Sequence, residues 1–65
     1  YKIYVGDQVV REVPDEITTR DIYEVKNEKG IERFIVVDVS TKEVLEPENF
    51  PIRADVKIIP VLKGA

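Results

Sequence analysis

The chain has 65 residues, a formal net charge of −3 with 35% charged residues, and no Cys, His, Met or Trp. Those absences exclude a disulfide framework, thiolate metal sites and catalytic devices built on His or Cys. The ten Lys and Arg form no run able to track a phosphate backbone, and no apolar stretch approaches the roughly 18 residues of a membrane span.

A chain this short buries only about 60% of its unfolded surface, so one efficient core is expected over residues 1–65. Abundant Val and Ile favour strands. A soluble, cytoplasmic, monomeric protein without cofactor or metal is the default expectation. The missing Met leads to the expectation that something precedes Tyr1 in the gene. Absent Cys, Met, His and Trp beside plentiful Lys, Glu, Ile and Val also suggest a thermophilic source.

In chain order, Lys2-Ile3-Tyr4-Val5 alternates as a strand with Ile3 and Val5 on one face. Gly6-Asp7 supplies a turn, and Gln8 to Val13 returns as a second strand. Its phase is broken, because Val9 and Val13 share a face with Arg11. Either a bulge intervenes or Arg11 snorkels. Thr18, with Asp21 three residues on, predicts the start of a helix through a capping-box variant, and Ile17 and Ile22 have the spacing of a hydrophobic staple. The helix is expected to be short, about two turns from Thr19 to Lys26, with Ile22 and Val25 inward. Asn27-Glu28-Lys29-Gly30 should end it, Gly30 being suited to a left-handed cap.

Glu32 to Val39 reads as a central strand through its near-continuous apolar run Phe34 to Val37. Ser40-Thr41-Lys42 turns into a brief strand at Glu43-Val44-Leu45. Glu46 to Pro51 is irregular, with one 3₁₀ turn and Phe50 as an anchor into the core. Asp55 to Val61 closes the chain as a last strand, and Pro60, lacking an N–H, is expected to end ordinary ladder pairing. The fold class is α+β: a mixed sheet of four to five strands packed on one short helix, in the order ββαβββ, which is the β-grasp order. The last strand is expected to run parallel beside the first.

On these elements the chain resembles the β-grasp, ubiquitin-like superfamily. Tyr1-Lys2-Ile3-Tyr4-Val5 looks like its first strand, and Arg33-Phe34-Ile35 with Val44-Leu45 like its third and fourth. Asp55 to Ala65 looks like its closing strand and tail. Ile58-Ile59-Pro60-Val61 is similar to the small sulphur carriers of thiamin and molybdopterin biosynthesis, which end in Gly-Gly. This chain ends Gly64-Ala65 instead, which also fits the N-terminal domain of phage tail-assembly proteins of the lambda I type, where more chain follows.

The resemblance implies a non-catalytic carrier or modifier whose tail, Leu62-Lys63-Gly64-Ala65, is activated by an E1-like enzyme or trimmed by a protease. The alternative is a structural interaction module whose tail is only a connector. No enzyme is expected. Ser40 has no base beside it in sequence, and Asp15-Glu16 and Glu46/Glu48 lack the ligand count and glycine spacing of a calcium loop. By strand alternation, Phe34, Val36, Val56 and Ile58 face the helix, while Ile35, Ile59 and Val61 point outward. These three, ringed by Arg33, Lys57 and Lys63, form a candidate patch for a protein partner. Ubiquitin-like proteins commonly bind through this face. Tyr4 and Tyr23 are expected at the edge of the core with their hydroxyls in water.

Overall fold

A computed structural model describes residues 1–62. Two strands, β1 (Lys2–Val5) and β2 (Gln8–Glu12), precede the helix α1 (Thr19–Lys29). After it come β3 (Phe34–Asp38), β4 (Val44–Leu45), a 3₁₀ turn at Pro47–Asn49 and β5 (Val56–Pro60). The fold is α+β, and the five strands form one mixed sheet in the order β2-β1-β5-β3-β4. The first and last strands are parallel neighbours in its middle, paired Ile3↔Val56, Tyr4↔Lys57 and Val5↔Ile58. The other three pairings are antiparallel.

The helix begins where the capping box requires. The Thr18 hydroxyl accepts from the Asp21 N–H at 3.3 Å, and the Thr18 N–H donates to the Asp21 carboxylate at 2.9 Å. Ile17 just before the cap and Ile22 in the first turn are both buried, which closes the staple. The C-terminus lies about one turn further on than the sequence suggested. Asn27, Glu28 and Lys29 continue the helix, because polar residues on an exposed face do not break it and no residue of the helix before Gly30 has φ > 0. Gly30 sits at φ 65°, its N–H donating to the Asn27 C=O, while the Ile31 N–H donates to the Lys26 C=O. That pair of bonds is a Schellman ending.

Thr18→Ala should lower the unfolding free energy by about 1 kcal/mol, read from the urea midpoint. The Asp21 carboxylate still holds the Thr18 N–H in that variant, so only half the box is lost. An unchanged midpoint would mean that the carboxylate alone caps the helix.

The broken phase of β2 is a bulge. The pairing steps from Ile3↔Arg11 to Tyr4↔Val9, leaving Val10 as the extra residue. Arg11 is thereby carried to the helix face, opposite the buried Ile3. Its guanidinium forks, with Nη1 2.6 Å from Glu24 Oε1 and Nη2 2.8 Å from Glu28 Oε1. The Glu24 hydrogen bond, chiefly, holds the Arg11 pKa above its ordinary value, so the clamp stays charged. Exposed to solvent, it contributes orientation more than stability.

The core is built from Ile3, Ile17, Ile22, Val25, Val36, Val56 and Ile58, with Val5, Val10, Phe34, Leu45, Phe50 and Ile52 packed against it. It lies between the helix and one face of the sheet. β5 is shorter than the sequence suggested, yet Pro60 does not end its pairing. Pro60 is registered with Phe34, and the Val61 N–H beyond it donates to the Arg33 C=O at 2.9 Å. The bonds of an antiparallel pair alternate sides, so Pro60 lacks its N–H on the side facing away from β3. There β1 has already ended, opposite Ile58, and no ladder bond is lost.

Candidate functional site

The side of the sheet away from the helix carries the residues expected to meet a partner. Ile35 and Ile59 lie directly opposite each other on β3 and β5. A second row crosses all five strands through the pairs Val44↔Val37, Val37↔Lys57, Lys57↔Tyr4 and Tyr4↔Val9. Ile35, Ile59, Val61, Val44 and Val9 are between 37% and 53% exposed, which is high for residues of this size grouped on one surface. Tyr4 and Val37 are half-buried between them.

Lys57 occupies the middle of the second row and not its rim, because alternation along β5 puts it on the same face as Ile59. Its stem lies between Tyr4 and Val37, with 31% of the side chain exposed, and its Nζ is 3.8 Å from the Asp7 carboxylate in the β1–β2 turn. At that separation, with Asp7 fully in solvent, the pair is weak. The Lys57 ammonium therefore stands as a cation within an otherwise uncharged row.

Ile35, Ile59, Val61 and Lys57 are thus brought to one face. Tyr4 belongs to it too, on the outer surface of a strand paired on both sides. Val9, Val37 and Val44 were missed by sequence reasoning. Val37 was legible, since the alternation that turns Ile35 outward turns Val37 outward as well. Val9 could not be placed without the side of the bulge, nor Val44 without the register of the β3–β4 hairpin.

In the tail, Leu62 is 90% exposed, and Lys63, Gly64 and Ala65 lie outside the described residues. Ser40 sits in the β3–β4 turn, where its N–H and that of Thr41 donate to the Asp38 carboxylate. Among the described residues no three acidic side chains converge as a metal site would require, and no helix is long and apolar enough to cross a membrane. No family model, curated protein or solved structure matches this chain.

Proposed function

We propose that this chain is a β-grasp, ubiquitin-like protein that acts without catalysis, recognised by a protein partner through the outer face of its sheet and through its C-terminal tail. The fold assignment is supported by the central, parallel pairing of the first and last strands, with the helix on one face of the sheet. The function is carried by a single observation: an apolar surface across five strands with one lysine in its midst. Soluble domains seldom leave so many neighbouring aliphatic side chains in water unless something covers them.

The face would supply apolar contact, and Lys57 would set orientation and exclude cationic competitors more than it would add affinity. Gly64 brings no side chain that would block passage through a narrow catalytic channel. Ile35→Asp and Ile59→Asp place a carboxylate in the centre of the face at positions already partly in water. Each should cost about 1 kcal/mol of stability and leave the circular dichroism spectrum intact. Each should also abolish capture of the partners that the unaltered protein retains from extracts of its source cells. Undiminished capture by both folded variants would sink the sheet-face reading. For the tail, incubation of the full-length protein with ATP and an E1-like activating enzyme should give a C-terminal adenylate by mass; an unchanged mass would leave the tail a connector.

A further inference from the structure

β4 covers β3 only at Val36 and Val37, and the chain then turns away through the 3₁₀ turn at Pro47–Asn49. Two hydrogen bonds fix which way the β3 peptide groups point. The Val61 N–H donates to the Arg33 C=O, and the Asp38 N–H donates to the Glu43 C=O, each within 3.0 Å. By the alternation of an antiparallel ladder, Arg33, Ile35 and Val37 address β5, whereas Phe34, Val36 and Asp38 address β4. The Phe34 N–H and C=O therefore face an edge along which, among the described residues, no strand lies.

That edge borders an apolar groove of about 230 Å³, with Ile22, Tyr23, Phe34, Leu45, Pro47 and Phe50 in its lining. Tyr23 meets Phe34 edge-on, ring centroids 6.4 Å apart, and forms its helix-side wall. A main-chain donor and acceptor beside an apolar groove match one kind of occupant, another extended backbone. A residue paired with Phe34 would point its side chain to the same face as Phe34, which is into the groove. The charge around the groove adds to this. Glu46 lines it and Glu48 is exposed in the adjoining turn, and neither has a cationic partner among the described residues.

We propose that the open stretch of β3 at Phe34 receives an extended segment of a partner protein by strand addition, antiparallel to β3 and in line with β4. One large apolar side chain of that segment occupies the groove, and a Lys or Arg just before it meets Glu46. This edge is distinct from the sheet face, although the groove reaches that face at Ile35 and Val44.

The test uses blocked peptides Lys-X-Val-Thr-Val, with X as Ala, Leu, Phe or Tyr, titrated into isotopically labelled full-length protein. With X as Leu, Phe or Tyr, saturable shifts are expected at Phe34, Tyr23 and Phe50, together with slowed exchange of the Phe34 amide. Replacing X by Ala should weaken binding roughly tenfold, since most of one apolar side chain is no longer buried. Methylation of the X amide nitrogen should abolish the Phe34 protection by removing the donor to its C=O. Glu46→Lys should weaken the Lys peptide by about tenfold and favour its Glu-for-Lys counterpart, with Ile58 exchange confirming an intact core. Three results would overturn the proposal. One is no shift at Phe34 with any peptide at millimolar concentration. The second is shifts confined to Tyr4, Lys57 and Ile59. The third is Phe34 protection that rises with protein concentration alone, which would make a second copy the occupant.

Discussion

Ile58→Ala should destabilise the protein far more than any substitution on the outer face of the sheet. Ile58 lies on β5 between β1 and β3, opposite Val5 on one side and Val36 on the other, with no exposed surface. Truncating a fully enclosed aliphatic side chain removes its transfer energy and leaves a cavity that the sheet, hydrogen-bonded on both sides, cannot collapse. The usual cost is about 2–5 kcal/mol. A domain of this length has a total stability of roughly 3–10 kcal/mol, so one substitution consumes much or all of it. In urea, with a slope of about 1 kcal/mol/M, the midpoint should fall by 2 M or more. Ile58→Val keeps most of the volume and should cost about 1 kcal/mol. The informative control is next door. Ile59→Ala, on the outer face, should cost under about 1 kcal/mol. Equal losses at the two positions would contradict the assignment of inner and outer faces, and with it the candidate surface.

That assignment was legible in the sequence because it rests on local rules. Period-two alternation put Ile58 inward and Ile59 outward, and the capping residues Thr18 and Asp21 located the start of the helix. Gly30, read as a left-handed cap, takes that conformation, but the residues before it were misread. Asn27, Glu28 and Lys29 look like a polar loop, whereas on a helix they form a solvated last turn, tied at Glu28 to Arg11. Whether Arg11 reached the helix through a bulge or by snorkelling depended on strand register, a long-range property that no local pattern contains. The same limit hid part of the candidate surface. Ile35 and Ile59 could be turned outward by alternation alone, but their being directly opposite depends on the β3–β5 register. Val9 and Val44 enter the surface only once four pairings are known. Pro60 misled for a related reason. A proline removes a donor wherever it stands, but whether a bond is lost depends on what lies beside it, and here β1 has already ended.

The second large effect is expected at Ile17, which is fully buried although it lies outside the named strands. It joins two parts of the chain by two means. Its main chain exchanges both hydrogen bonds with Ile52, N–H to C=O at 2.8 and 2.9 Å, and its side chain forms the staple with Ile22 at the start of the helix. Ile17→Ala leaves the main-chain bonds in place but removes the side chain that excludes water from them. A loss of about 2–4 kcal/mol is expected from the cavity, enough to bring unfolding close to ambient temperature. The manner of the loss should differ from that at Ile58. Ile58 is held between two strands, so its truncation lowers the stability of the whole sheet together. The Ile17–Ile52 bridge ties the helix entry to the segment that leads into β5, and it can open by itself. Amide exchange at Ile17 and Ile52 should therefore accelerate more than exchange at Val36 or Ile58 when the variant is compared with the parent protein. Uniform acceleration at all four amides would show that the bridge has no independent opening and that the helix entry unfolds only with the sheet.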